Sequence, residues 1–177
     1  MRNLNKALLV VAALGLAACN NPNRYGGGAG MGGDAAGLNG AGGISGQGLG
    51  DASNPASIAY FNQRVGDRVY FKLDQSNLSP EAQQTLTKQA QWLNQYPSYA
   101  IIIEGHTDER GTREYNIALG ARRAQVVKDF LSTHGVNAGR IRTISYGKER
   151  PVATCPNESC YSQNRRAVTV LSRGKNS

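Results

Sequence analysis

The chain has 177 residues, enough for one domain and some additional chain, and its 20 Lys and Arg against 12 Asp and Glu give a net charge of +8. A balance this basic raises the question of nucleic acid, but the charges are spread and only three Phe and one Trp are available for stacking. Taking the elements in chain order, Arg2 and Lys6 precede an apolar run from Ala7 to Leu16. That run is too short to cross a bilayer as a stable helix and has the length of a signal-peptide core, so residues 1–18 are expected to be a signal peptide. Removing them takes away Arg2 and Lys6 and leaves +6.

The run ends Leu16-Ala17-Ala18-Cys19, which resembles a bacterial lipobox. The resemblance implies cleavage before Cys19, a diacylglycerol thioether on its sulfur and acylation of the new amine. This covalent lipid is the only prosthetic group expected. Each buried methylene of such an anchor contributes roughly 0.8 kcal/mol, so several acyl chains hold firmly. Asn20 follows the cysteine where an aspartate would favour inner-membrane retention, and the outer membrane is therefore expected. Thirteen of the 25 residues from Gly26 to Gly50 are glycine. A chain of this composition buries too little apolar surface to offset its conformational entropy. Residues 19–57 read as a lipidated terminus and flexible tether, with an r.m.s. span of roughly 30–40 Å for a Gly-rich coil.

Residues 58–177 read as the globular domain. Arg68 to Leu73 alternates, placing Val69, Phe71 and Leu73 on one face of a strand. Ser79-Pro80-Glu81 is a helix start, with a hydroxyl cap, a proline where its missing N–H costs nothing, and an acid in the first turn. Ala82, Leu86, Ala90 and Leu93 mark the buried stripe of that helix, and Tyr96-Pro97 ends it. Ile101 to Ile103 is a short β-branched run that reads as a buried strand breaking at Gly105. A polar loop from His106 to Arg110 follows, and a second helix starts near Arg113 with Leu119, Arg123, Val126 and Phe130 on one side. His134-Gly135 is a left-handed cap for it. Arg140 to Tyr146 and Arg166 to Leu171 read as two further strands. The order β-α-β-α-β-β predicts an α/β two-layer sandwich with helices on one face of a mixed four-stranded sheet.

Three cysteines in an exported chain, one of them reserved for lipid, leave Cys155 and Cys160 to pair as a disulfide. A bridge across so small a loop contributes only about 2 kcal/mol on the chain-entropy estimate. A metal site is the rival reading, but two thiols without nearby histidines fall short of four ligands. His106 and Asp108 likewise lack a third ligand at helical spacing. Glu104 and Asp108 resemble a glycan-cleaving carboxylate pair, yet nothing supplies an acid in an apolar pocket, and no Ser-His-Asp or Cys-His arrangement is apparent. An enzyme is therefore not expected.

The loop between the Ile101 strand and the second helix is where α/β folds usually place ligands. Asp108 in the loop and Arg123 on the helix behind it could hold a ligand carrying both charges, since a guanidinium meets a carboxylate with two parallel N–H bonds. The simpler alternative is an intramolecular salt bridge between the two. Arg122, one position round the helix, is expected to face water.

GHTDERGTREYNIALGARRA, with SYGKERP and SQNRRAV further on, closely resembles the OmpA-like peptidoglycan-binding domain over roughly Val69 to Leu171. The resemblance implies non-covalent binding of the peptidoglycan stem peptide at meso-diaminopimelate. It also implies a place in the Tol system, whose periplasmic β-propeller protein, TolB, is the expected partner on an overlapping surface. On the family's motif, Asp108 and Arg123 grip the diaminopimelate, and Asn116 and Asp74 match further binding positions. An arginine of the NRR stretch lines the site, expected to be Arg166 rather than Arg165. Leu73 stands where the family usually has an aromatic before the aspartate, which weakens the expectation for contacts from that first loop.

Overall fold

The computed structural model describes residues 49–173. The expected signal peptide, the lipidation site Cys19 and the tether as far as Gly48 lie outside the described residues.

The domain starts earlier than its composition suggests. Ser57, which caps the short helix α1 (Ile58–Tyr60), accepts from the Tyr60 N–H and donates its hydroxyl to the Asp51 carbonyl at 2.6 Å. The Trp92 indole donates to the Pro55 carbonyl at 2.8 Å, and the Tyr99 hydroxyl to that of Ala56 at 2.5 Å. Leu49 packs on the core. Residues 49–57, expected to belong to the tether, are therefore part of the folded domain. Few of these nine residues are apolar, so what holds them is hydrogen bonding to side chains some 40 positions away, which composition does not reveal.

After α1 the chain makes a π-helical turn, Phe61–Gly66, and enters β1 (Arg68–Tyr70). Alternation holds as far as Val69 and Phe71, which are buried, but Leu73 is 54% exposed instead of facing the core. The chain turns after Phe71, Gln75 N–H donating to the Lys72 carbonyl, and Asp74 takes a φ of +56°. Helix α2 (Pro80–Gln95) begins as expected, Ser79 accepting from the Ala82 N–H. Its buried residues include Ala82, Leu86, Ala90 and Leu93, and Trp92 packs against Phe61, Tyr96 and Tyr99.

Strand β2 (Tyr99–His106) continues one residue past Gly105, where its pairing with β3 shifts register. The glycine does not end the strand; it admits a helix. A Cβ built on Gly105 would lie 1.9 Å from the Gly120 carbonyl oxygen, and one on Gly120 would lie 2.4 Å from Ser145 Oγ. Helix α3 (Arg113–Thr133) thus touches β2 backbone to backbone. Its buried line is Leu119, Arg123, Val127 and Leu131, with Asn116, Gly120 and Ala124 beside it. Val126 and Phe130, expected on that line, are only partly buried. The helix closes as read: Gly135 has a φ of +91°, and Val136 N–H reaches back to the Leu131 carbonyl.

A 3-10 turn (Ala138–Arg140) leads into β3 (Ile141–Gly147), then a seven-residue helix α4 (Glu158–Asn164) and β4 (Arg166–Arg173). The sheet order is β1-β4-β2-β3, with β2 and β3 parallel and β4 antiparallel to both β1 and β2. This is the expected mixed four-stranded sheet with α2 and α3 over one face. The Cys155 and Cys160 sulfurs are bonded, closing the turn that carries α4. Among the described residues, no helix is long and apolar enough to cross a membrane.

Candidate functional site

Beyond the ends of β1 and β2, against the first turns of α3, lies a cavity of about 330 Å³, a size suited to a small ligand. Its lining includes Asp74, Thr107, Asp108, Asn116, Arg123 and Arg165. Each wall follows from the local fold. The β2–α3 loop supplies Thr107 and Asp108, and the Gly105–Gly120 contact brings α3 close enough for Asn116 and Arg123 to face that loop, one turn on either side of Gly120.

Arg123 is fully buried. Its Nε donates to the Gln75 carbonyl at 2.9 Å, Nη1 to that of His106 at 2.8 Å and Nη2 to that of Lys72 at 3.2 Å. Its guanidinium also stands over the Phe71 ring, 5.0 Å from the centroid. Three carbonyl dipoles solvate the cation, yet among the described residues no carboxylate pairs with it. Burial pushes its pKa down to about 10, and the neighbouring charge of Arg165 adds to that. It remains charged at neutral pH, in a setting where charge is unfavourable.

Asp108 is 5% exposed and does not pair with Arg123, so the intramolecular salt bridge between the two is not formed. Its Oδ2 accepts from Arg110 and, at 3.2 Å, from Arg165 Nη1. Burial alone would raise this carboxyl; the hydrogen bonds from Arg110 and Arg165 outweigh it and hold it below the usual carboxylate range. Asn116 lines the cavity but spends its amide on the loop, donating to the carbonyls of Arg110 at 2.7 Å and Thr112 at 2.9 Å. Asp74 is exposed at the rim and accepts from the Tyr115 hydroxyl.

Arg166 is not in the cavity. It pairs with Tyr70 across the β1–β4 ladder and donates to the Asn164 and Arg150 carbonyls, on the sheet face away from the helices. Arg165 takes the place expected of it. Its Nε donates to the Phe71 carbonyl at 3.1 Å, and its Nη2 to Glu158. Strand parity carried the signal: Arg165 shares the parity of Ala167 and Leu171, both buried against the helices, whereas Arg166 shares that of Val168 and Val170. Sequence reasoning also missed Arg110 and Tyr115. Leu73, noted as a departure from the family pattern, does line the cavity, together with Leu119.

The rival chemistries find no geometry. Glu104 lies 3.5 Å from His106 on the outer sheet face, so it does not share a site with Asp108. Among the described residues no group of three or more His, Cys, Asp or Glu could hold a metal ion.

A two-layer α/β sandwich with a small charged cavity at the strand ends defines a ligand-binding domain. Residues 70–165 match the model of the OmpA family. The chain is similar to a peptidoglycan-associated lipoprotein of Mesorhizobium japonicum, 52% identical over 165 residues, covering 93% of this chain and 90% of that one. The counterpart from Brucella melitensis is 62% identical over 120 residues, 68% of this chain and 71% of the relative. Among solved structures, the peptidoglycan-associated lipoprotein from Burkholderia pseudomallei aligns with a TM-score of 0.60 at 41% identity, over 63% of this chain and 96% of the other. The C-terminal domain of Helicobacter pylori MotB, at 23% identity and a TM-score of 0.58 over 62% of this chain and 87% of that one, shares the fold. The chain belongs to the OmpA family. Its relatives over nearly the whole chain are peptidoglycan-associated lipoproteins.

Proposed function

We propose that the protein binds peptidoglycan non-covalently through the diaminopimelate of its stem peptides. One observation carries this reading: Arg123 is a fully buried cation that has carbonyl partners but, among the described residues, no carboxylate, on the wall of a cavity that also holds Asp108. A buried charge without a counter-ion is costly, and a ligand carboxylate removes the deficit. Diaminopimelate in a stem peptide carries a free carboxylate and a free ammonium on its far stereocentre. Arg123, with Arg165 beside it, suits the carboxylate, and Asp108 the ammonium. The names of the relatives support the wall as the ligand.

With a lipid on Cys19, this activity tethers the outer membrane to the wall from its periplasmic face. By the same resemblance the protein acts in the Tol–Pal system, with the β-propeller protein TolB as partner, and supports envelope integrity and cell division. The test is co-sedimentation of the chain from Asn20 onward with purified sacculi. Binding that excess free meso-diaminopimelate competes away is expected; retention unaffected by diaminopimelate would place the ligand elsewhere on the wall.

A further inference from the structure

Asp108 is already occupied. Two guanidinium groups share its Oδ2, and they are held very differently. Arg165 has a side chain only 6% exposed and is fixed by Phe71, Asp108 and Glu158. Arg110 has a side chain 41% exposed, and its other partners lie beyond the cavity: Glu158 Oε2 at 3.9 Å and the Tyr161 ring, whose centroid is 4.4 Å from the guanidinium carbon. Both of those partners sit on α4, inside or just after the turn closed by Cys155 and Cys160. The turn is pinned to the helix by Asn164, whose Oδ1 accepts from the N–H groups of Val152 and Ala153.

An ammonium arriving at Asp108 would be a third cation on one carboxylate, and like charges at such separations repel strongly in a partly desolvated site. One cation must leave. Arg165 cannot do so without disturbing its buried contacts to Asp108 and the Phe71 carbonyl, whereas Arg110 already touches a second carboxylate and an aromatic face. We propose that Arg110 is a displaceable counter-ion: it occupies Asp108 while the cavity is empty and passes to Glu158 and Tyr161 when a ligand ammonium takes its place. The disulfide-closed turn is then the receiving side of the gate. This rests on the reading that Asp108 accepts the ligand's ammonium.

Calorimetric titration of the chain from Asn20 onward with a short peptide ending in meso-diaminopimelate tests it. Arg110→Gln removes the competing cation, and binding should tighten roughly two- to fivefold, as expected for loss of one partly exposed ion pair. Arg110→Lys should restore wild-type affinity. Glu158→Gln removes the receiving carboxylate and should weaken binding by a comparable factor. In the double variant that loss should vanish, which separates an action through Arg110 from one through Arg165. Arg110→Gln binding tenfold weaker than wild type would make Arg110 a direct ligand contact and overturn the proposal. So would a Glu158→Gln loss that persists without Arg110. If Asp108→Ala binds the peptide as wild type does, the site itself is misassigned; if Asp108→Ala abolishes binding while Arg110→Gln changes nothing, only the gate fails.

Discussion

At the scale of single residues, Arg123 has a structural task and, on the proposed function, a binding task that mutation can separate. Its three carbonyl partners come from the turn after β1 and from the end of β2, so it holds the two walls of the cavity together before any ligand arrives. Arg123→Ala should therefore cost stability as well as binding. Breaking hydrogen bonds from a charged donor removes about 1.5–3 kcal/mol each, and three carbonyls would be left without it. Arg123→Lys keeps the charge but can reach only some of these carbonyls, and it loses the fork that meets a carboxylate. We expect it to fold with a lower Tm and to bind sacculi at least about tenfold more weakly. Arg122→Ala, at an exposed position on the same helix, should match wild type in both assays. Wild-type binding by a folded Arg123→Lys protein would remove the guanidinium from the ligand's recognition. The sequence made Asp108 and Arg123 visible because their spacing fits a loop and a helix. It did not show that Asp108 is already paired, because its partners lie at positions 110 and 165, and the second becomes a neighbour only when β4 has joined the sheet.

At the scale of elements, one contact sets the site's dimensions. The backbones of β2 and α3 meet at Gly105 and Gly120, and a side chain at either place would collide with the atoms opposite. In Gly105→Ala the new methyl meets a carbonyl oxygen of a helix rather than a side chain that could rotate away. We expect a loss of about 2–3 kcal/mol or more, at the upper end of overpacked substitutions, together with weakened peptidoglycan binding because α3 must withdraw. Urea melts and sacculus sedimentation of the same variant check both; unchanged stability would mean that the helix does not sit this close. Here the sequence was legible in kind but not in meaning. Gly105 reads as a strand breaker because, along the chain, a glycine signals a turn; only its neighbour across the fold reveals it as a contact. The shift of α3's buried line from Val126 and Phe130 to Val127 and Leu131 has a related origin. All four residues are apolar, so periodicity alone leaves the phase loose, and the tight contact at Gly120 fixes it. The helix caps, by contrast, depend on neighbours within five residues, and Ser79 and Gly135 were readable for that reason.

For the whole molecule, the sheet's outer face predicts how stability responds to acid. His106 is 1% exposed there, stacked on Tyr146, with Glu104 at its side and Arg166 and Arg150 nearby. Burial pushes the imidazole below its ordinary value, the two arginines add to this, and Glu104 opposes it. The folded state therefore resists a proton that the unfolded chain accepts near pH 6.5, so stability is full above about that pH and declines as the pH falls toward the depressed folded value. Asp108 shifts in the same direction but acts lower, below about pH 4, where the unfolded carboxyl takes up its proton. Thermal melts from pH 7.5 to 5 should show a falling Tm in the wild type and a flatter profile in His106→Gln. Identical slopes in the two proteins would rule out His106 as the cause.

The strap from Leu49 to Ser57 gives the domain a mechanical order of failure. On the proposed function, with a lipid at the amino end and the wall held at Asp108 and Arg123, tension would reach the sheet through this strap. It meets the Tyr99–Ala56 and Trp92–Pro55 hydrogen bonds before any strand of the sheet. These contacts lie in series along the strap, so a pull breaks them one after another rather than together. Each residue released adds up to about 3.3–3.6 Å of slack. Peeling the strap would therefore add length ahead of the sheet and let a transient load fall while β1, and the turn that Arg123 holds, keep their shape. The strap would yield first, leaving the grip on the wall until last.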